Sequence, residues 1–201
     1  MAQLIETNLT LGADAMHLLH DIEPNSGFLN NEYNITPSDF KKHVTSLVDY
    51  ANGENLPDGW VPFTTYWLFV DNKPVGISRL RHFLNDQLKE IGGHIGYAIG
   101  KSERKKGYGS EILRLTIEKA YEMNINNLLV TCSVTNFGSR KIIEKNNGIL
   151  IDSKNGLNYY CISDKETSSL DRYWFRLLDY YLTLLGLGIH FCFFLVFHFL
   201  A

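Results

Sequence analysis

The sequence predicts an α/β (α+β) domain in which a mixed central sheet of about six to seven strands is flanked by helices. Apolar patterns with strand and helix periods alternate along the chain in the order β, α, α, β, β, β, α, β, α, β, β. This order predicts helices that pack on the faces of one sheet. With 201 residues, of which 45% are hydrophobic, the chain is long enough to bury such a core.

The first half of the chain contains three strand patterns and two helical patterns. A short strand comes first, and residues 14–23 follow with apolar side chains at helical spacing. Thr36 can cap a second helix, in which Pro37 suits the first turn. Aromatic and β-branched residues 64–70 and a strand over 75–80 flank a turn, which predicts a β-hairpin.

The second half has its strongest patterns on either side of a glycine-rich loop. Residues 94–99 predict a strand, and residues 109–124 predict a helix with one buried face. The polar residues 85–90 are predicted to form a loop. The remaining predicted elements are a strand over 128–132, a helix over 136–145, and candidate last strands over 149–152, 159–162 and 173–177.

The loop between that central strand and the following helix has the features of an anion-binding site. Backbone N–H groups in a first helical turn have no partners within the helix and carry the positive end of its dipole. Gly107 and Gly109 lack Cβ atoms, so an anion can approach those donors, and Arg104, Lys105 and Lys106 add positive charge. The spacing fits neither a P-loop nor a dinucleotide fingerprint, and a solvated basic turn is the alternative.

The run Arg104-Lys105-Lys106-Gly107-Tyr108-Gly109 resembles motif A of the GNAT superfamily of N-acetyltransferases at every position. The chain is also similar to a subgroup of predicted acetyltransferases with Arg-His-x-Leu-Asn, as at residues 81–85, and Gly-Gly-His-Ile-Gly-Tyr, as at residues 92–97. The resemblance covers roughly residues 3–176. It implies a GNAT-like acyl-coenzyme A N-acyltransferase fold for a domain of residues 1–177.

The same resemblance implies acetyl-coenzyme A (acetyl-CoA) as the co-substrate and no metal. The loop would bind the pyrophosphate, and the strand over 96–100 would pair its backbone with the pantetheine arm. Asn136 and Ser139 match the family's Asn-x-x-Ser/Ala pattern, and a helix cap is an alternative role for Asn136. The implied coenzyme-binding residues are Ala98, Ile99, Arg104, Lys105, Lys106, Gly107, Tyr108, Gly109, Ser110, Asn136 and Ser139.

Acetyl transfer to an amine needs a group that accepts a proton and a hydrogen-bond donor for the thioester oxygen. Glu90, His94 and His82 are the nearby candidates for the base, each with a purely structural role as the alternative. The resemblance implies that a backbone N–H near residues 97–99 serves the oxygen. Many GNAT enzymes use a tyrosine as the acid, but Ile143 occupies that position, with Tyr97, Tyr108 and Tyr159 as unplaced substitutes.

These features predict an N-acetyltransferase that transfers the acetyl group of acetyl-CoA to a primary amine by direct attack in a ternary complex. The acceptor, a small-molecule or peptide amine, is not identified by the sequence. Because the acid tyrosine is absent, a non-catalytic module that senses coenzyme A or an acyl-CoA is the alternative. Four aromatic residues near the expected acceptor side are expected to lie mostly in the core: Trp60, Phe63, Tyr66 and Trp67.

Composition excludes several other classes of protein. The net charge of −3 provides no basic surface for nucleic acid. The three cysteines are widely spaced and form no zinc pattern, so reduced thiols in a cytoplasmic protein are the simplest interpretation. The first residues lack the basic region and apolar run of a signal peptide.

A hydrophobic C-terminal tail, residues 178–201, follows the predicted domain. Its last 22 residues, 180–201, carry no formal charge, and this length could span a bilayer as a helix, so membrane association through a tail anchor is one interpretation. An aberrant, out-of-frame terminus and a buried helix of a homodimer are the alternatives. We expect the domain to fold and to bind coenzyme A without the tail.

Overall fold

A computed structural model of the chain describes residues 1–25 and 27–163. The predicted order of elements is confirmed over these residues. Two short elements are added, a 3₁₀ turn at Lys101–Glu103 and one helix. The elements are β1 (Ala2–Glu6), α1 (Ala13–Asp21), α2 (Pro37–Ala51), β2 (Phe63–Val70), β3 (Lys73–Arg81), α3 (Asp86–Glu90), β4 (Ile95–Ile99), α4 (Tyr108–Glu122), β5 (Asn127–Ser133), α5 (Phe137–Lys145), β6 (Ile149–Lys154) and β7 (Leu157–Ser163).

The predicted loop over residues 85–90 is wrong, because most of it forms α3. The side chain of Asn85 accepts a hydrogen bond from the Leu88 N–H at 2.9 Å and so caps the helix. The predicted strand over 173–177 and the tail over 178–201 lie outside the described residues. Membrane contact, a homodimer and a domain end at residue 177 therefore stay predictions. Among the residues that the structure describes, no helix is long and apolar enough to cross a membrane.

The strands form two sheets rather than one continuous sheet. One sheet is antiparallel with the order β1-β2-β3-β4, and the other is antiparallel with the order β5-β7-β6. Helices α1 and α2 cover one face of the larger sheet, where Trp67 and Ile77 are fully buried. Helix α4 covers the opposite face, against Leu80 and Ile95. Side chains of successive residues therefore enter two different cores, as the pleat requires.

The two sheets meet at the beginning of β4. Gly93 forms an isolated bridge with Val130, and the His94 N–H donates to the Leu129 carbonyl at 2.7 Å. The Leu129 N–H donates to Nδ1 of the His94 imidazole at 2.9 Å, so a side chain takes the place of the next backbone acceptor. No further bridge between β4 and β5 occurs in the part of the chain that the structure describes. The two strands consequently part and leave a gap between them.

The environment of His94 at this junction makes folding stability depend on pH. Burial lowers the pKa of His94 to about 4, and the positive charge of Arg81 acts in the same direction. The folded state therefore resists protonation, whereas an unfolded histidine binds a proton below about pH 6.5. Stability from this group is complete above pH 6.5 and is lost as the pH falls from 6.5 towards 4, by about 2 to 3 kcal/mol.

We predict that His94→Asn reduces the loss of unfolding free energy between pH 7 and pH 5, as measured by urea denaturation. The asparagine carbonyl oxygen can still accept the Leu129 N–H, but it does not titrate in this range. The variant is expected to be less stable than the wild type at pH 7, because the ring packing is lost. An equal loss of stability in both proteins between pH 7 and pH 5 would contradict the assignment.

Candidate active site

The backbone of β4 has one edge paired and one edge open. The Gly100 N–H donates to the Val75 carbonyl and the Arg81 N–H to the His94 carbonyl, which sets the alternation along the β3–β4 ladder. From this alternation we infer that the even-numbered residues of β4 bond to β3. The N–H and C=O groups of Tyr97 and Ile99 then face the gap. The hydrogen bond from Arg104 Nε to the Ile99 carbonyl at 3.3 Å agrees with this direction.

The open edge distinguishes Ala98 from Ile99 among the predicted coenzyme contacts. The backbone of Ala98 faces β3, and its buried side chain packs with the core under α1 and α2. Ala98 therefore has no group to offer in the gap, because adjacent residues of a strand point their backbone groups in opposite directions. The backbone groups of Ile99 and Tyr97 face the gap instead, and the coenzyme contacts of Ala98 and Ile99 stay predictions.

The exposed glycine-rich loop ends in a half-buried first turn of α4. Gly107, the residue before the helix, has φ +87° in the left-handed region, which glycine adopts without strain. The N–H groups of Ser110 and Glu111 both donate to the Gly107 carbonyl, so the preceding N–H groups have no acceptor within the helix. A Cβ on Gly107 would meet no atom within 4 Å, so open space faces these donors.

Gly109 has a packing role in addition to the coenzyme contact predicted for it, which stays a prediction. A Cβ there would lie only 2.7 Å from the Ile142 side chain of α5. This glycine lets α4 and α5 pack closely, as their contacts require. Ser110, one residue further, accepts hydrogen bonds from the Asn146 side chain at 3.2 Å through both its hydroxyl and its carbonyl. The end of α5 thereby holds the first turn of α4 in place.

The basic side chains of the loop are mostly engaged in ion pairs. Arg104 donates to Glu23 at 2.9 Å, and Lys106 donates to Glu103 at 2.7 Å. These partners hold the pKa of both carboxyl groups below the usual range. Lys105 is exposed and has a backbone φ of +63°. The backbone N–H groups of the first turn are therefore the main feature that could bind an anion here, with the charges as an outer layer.

The far wall of the gap is the N-terminal part of α5. Asn136 caps this helix by accepting the Ser139 N–H at 3.0 Å, which is the alternative role considered for it. The Ser139 hydroxyl bonds to the Tyr97 hydroxyl at 2.9 Å, so a phenol connects β4 to α5 across the gap. Burial raises the pKa of Tyr97, which keeps the phenol protonated at neutral pH. Ile143 is fully buried in the core.

The three predicted bases are not brought together. His94 lies at the closed end of the gap, where its Nδ1 accepts a backbone N–H. Glu90 is exposed, and its carboxylate pairs with Lys154 at 3.3 Å. His82 lies elsewhere: its Nε2 lies 2.9 Å from the Thr64 hydroxyl, and burial lowers its pKa. None of these contacts identifies the base.

The chain between α1 and α2 crosses the gap on the face opposite α4. A Cβ on Gly27 would lie 2.8 Å from the Asn136 amide nitrogen, and a Cβ on Gly96 would lie 3.6 Å from the Phe28 ring. The segment thus contacts both walls, α5 through Gly27 and β4 through Phe28. Asn30 anchors it by donating to two carbonyls near the end of α1, those of Leu19 and Ile22.

A group of titratable side chains that the sequence analysis did not identify combines Glu32 of this segment with two residues packed beside it. Glu32 faces Arg79 of β3 at 3.6 Å and His43 of α2 at 3.7 Å, and the Arg79 guanidinium lies 4.8 Å from the centre of the Phe28 ring. Burial lowers the pKa of Arg79 and the pKa of His43. The signal in the sequence was an arginine on the same face of β3 as the buried Ile77, a core position.

The predicted aromatic core is largely present, with one exception. Phe63, Tyr66 and Trp67 are buried, but Trp60 is 53% exposed and packs its ring against Tyr50 and Phe63. Within residues 1–25 and 27–163, no group of three or more His, Cys, Asp or Glu side chains could hold a metal ion. The site is therefore built from backbone N–H groups, hydroxyls and the charged group beside the α1–α2 segment.

Comparisons with known proteins agree with this geometry. The fold is similar to RimL, a ribosomal alpha-N-protein acetyltransferase in complex with coenzyme A, at 19% identity and TM-score 0.59, covering 81% of this chain and 93% of that chain. It is similar to PseH, an N-acetyltransferase from Campylobacter jejuni in complex with acetyl coenzyme A, at 13% identity and TM-score 0.56, covering 82% and 100%. It is similar to a GNAT-family acetyltransferase from Bacillus anthracis at 18% identity and TM-score 0.55, covering 81% and 94%.

These structural similarities, at low identity, establish the fold. A comparison with curated protein sequences finds no match. The model of the acetyltransferase (GNAT) domain matches residues 13–148, which is more than half of the chain and includes β4, the loop and α4. The chain therefore belongs to the GNAT acetyltransferase family, and it is an acyltransferase with acetyl-CoA as its co-substrate.

Proposed function

We propose that this protein transfers the acetyl group of acetyl-CoA to a primary amine by direct attack within a ternary complex. One observation carries the proposal: the open backbone edge of β4 leads directly to the unpaired N–H groups at the start of α4. The edge suits the amides of a pantetheine arm, which can add to it as another strand would. The helix start suits the pyrophosphate, because its N–H groups and dipole favour an anion.

The reaction needs two proton movements. A base first removes a proton from the ammonium form of the acceptor, and the neutral nitrogen then attacks the thioester carbonyl carbon. Negative charge develops on the carbonyl oxygen, where an N–H of Tyr97 or Ile99 in the gap can stabilise it. As the carbon–sulfur bond breaks, a donor gives its proton to the leaving thiolate, and the second proton of the nitrogen passes to that donor and restores it. Tyr97, protonated and bonded to Ser139, is our candidate for the donor.

The hydrogen bonds of the candidate bases bear on the role that we propose for each of them. Because His94 accepts the Leu129 N–H at Nδ1, its neutral ring carries the proton on Nε2 and offers a donor there. His94 therefore suits orientation of a carbonyl better than proton removal. Glu90 and His82 stay candidates, either directly or through a water molecule. The acceptor is proposed as a small-molecule or peptide amine; the α-N-protein acetyltransferase among the structural relatives supports the second class.

A coenzyme A sensor without turnover is the second candidate function. The observation in its favour is Ile143, a fully buried apolar residue where many family members have the acid tyrosine. Tyr97 weakens this alternative, because it offers a protonated hydroxyl from β4 instead of from α5, where Ile143 lies.

We predict that the full chain binds acetyl-CoA in isothermal titration and releases coenzyme A thiol when amines are supplied. Thiol release over a panel of alkylamines, amino acids, aminoglycosides and peptides measures the turnover. Binding with turnover supports the acetyltransferase, and binding without turnover on any amine supports the sensor. Absence of binding at millimolar acetyl-CoA would contradict both.

We predict that Gly107→Asp weakens coenzyme A binding by about tenfold or more, whereas Gly107→Asn weakens it much less. Both residues tolerate the left-handed conformation and have the same shape, and a Cβ at this position meets no neighbour. Only the aspartate places a negative charge next to the expected pyrophosphate. Titration of the two variants with coenzyme A measures the difference, which should shrink as salt is added.

Circular dichroism and thermal melts of both variants provide the control for folding. Equal affinities of the folded Asp and Asn variants would place the pyrophosphate away from α4. Gly109 is unsuitable for this comparison, because any side chain there contacts Ile142.

A further inference from the structure

The group formed by Glu32, Arg79 and His43, termed the charged cluster below, has no role in the chemistry described so far. We propose that it is the acceptor-binding site and that it selects an α-amino carbonyl compound: an amino acid, an amino acid amide or a peptide N-terminus. Glu32 binds the amino group, and Arg79 donates to the neighbouring carbonyl or carboxylate oxygen. This inference rests on the proposed function, since it names the class of amine that the same site accepts.

The charged cluster is incomplete, because each of its residues has a buried polar atom without a hydrogen-bond partner within the described chain. Glu32 Oε2, Arg79 Nε and His43 Nε2 are buried, and none has a hydrogen-bond partner among the described residues. The distances of 3.6 Å and 3.7 Å to Glu32 are too long for hydrogen bonds. Buried polar groups are nearly always paired, because leaving one unpaired costs stability. A ligand with both a donor and an acceptor would satisfy Glu32 and Arg79 together.

The charged cluster lies next to β4. Arg79 stands directly opposite Gly96 in the ladder between β3 and β4, and its guanidinium stacks on Phe28, which contacts Gly96. Gly96 precedes Tyr97, whose N–H faces the gap. An amine held at Glu32 therefore lies on the face of β4 opposite α4, beside the part of the strand where the thioester would lie. The coenzyme and the acceptor would then approach from different faces.

The side chains of the charged cluster are partly accessible to solvent. The side chain of Glu32 is 20% exposed, against 17% for Arg79 and 14% for His43. Of the charged cluster, Glu32 alone lines a cavity of about 440 Å³ that the segment between α1 and α2 forms, so a ligand in this cavity reaches the carboxylate first. This volume accommodates a small ligand. The ion pair to Arg79 is long, so either partner can turn to a ligand without breaking a hydrogen bond.

The opposite charges in the charged cluster favour a ligand with both a donor and an acceptor over a simple amine. Glu32 contributes a negative charge and Arg79 a positive one. Because burial lowers the pKa of His43, this histidine is neutral at pH 7. Arg81, the other largely buried arginine in the part of the chain that the structure describes, is already used, since it donates to the Gly93 carbonyl at 2.9 Å. An alkylamine would neutralise Glu32 and leave Arg79 unpaired, whereas an α-amino carbonyl compound provides a partner for each.

The test compares glycinamide with isobutylamine, which has nearly the same shape but no carbonyl oxygen. Thiol release from acetyl-CoA by the full chain gives kcat/KM for each amine, and their ratio is the selectivity. We expect the wild type to prefer glycinamide and Arg79→Met to lower the selectivity at least about tenfold, as for a lost hydrogen bond to a charged group. The intrinsic basicity of the two amines cancels, because the same ratio is compared between enzymes.

Two further variants control for charge and folding. Glu32→Gln should lower kcat/KM for both amines, because each loses the carboxylate, and should leave the affinity for acetyl-CoA within about twofold of wild type. Glu54→Gln, at an exposed carboxylate away from the charged cluster, should change neither quantity. Thermal melts report whether each variant is folded.

The outcomes separate this inference from the proposed function. If the wild type binds acetyl-CoA but uses isobutylamine as well as glycinamide, or uses neither, the inference is wrong and the binding of acetyl-CoA stands. If the selectivity of folded Arg79→Met equals that of the wild type, the charged cluster is a structural ion pair whose unpartnered atoms bind water. If acetyl-CoA does not bind, the proposed function fails and the inference fails with it.

Discussion

The structure depends on a short junction between the two sheets at the start of β4. Gly93 and His94 join the two sheets through Leu129 and Val130, and the His94 imidazole then accepts an N–H that a backbone carbonyl would otherwise take. Gly93 is required here, because its left-handed backbone presses against the Leu129 carbonyl where a Cβ cannot fit. With the ladder stopped, the twist of each sheet carries β4 and β5 apart.

The gap leaves backbone groups that an ordinary sheet would pair. Unpaired backbone N–H and C=O groups inside a protein are costly unless water or a ligand satisfies them. In this fold they line a slot with the N-terminus of α4 at one end, so a long ligand with amide groups and a phosphate terminus satisfies both features at once. In the proposed function the backbone recognises the coenzyme, and the side chains of the loop hold its shape through ion pairs to Glu23 and Glu103.

The acceptor side is built on a different principle. The segment between α1 and α2 contacts both walls of the gap and is anchored by Asn30, so its side chains are held beside β4. Charged side chains with few hydrogen bonds collect there, in contrast to the exposed ion pairs elsewhere, which contribute little to stability. Recognition by a backbone on one face and by side chains on the other lets one fold keep its co-substrate while its acceptor varies.

The sequence by itself determined the order of elements from β1 to β7, the glycine-rich loop before α4 and, through Arg104 to Gly109, the family. These features are local: they depend on periodicity, capping and glycine spacing within a few residues. Local signals also existed for α3, where Asn85 caps a helix that we predicted as a loop. Only the tertiary structure decided that the backbone of Ala98 faces β3 and that Tyr97 reaches Ser139. It also decided that Glu32, Arg79 and His43 meet, because register and long-range packing bring together residues that are far apart in the chain.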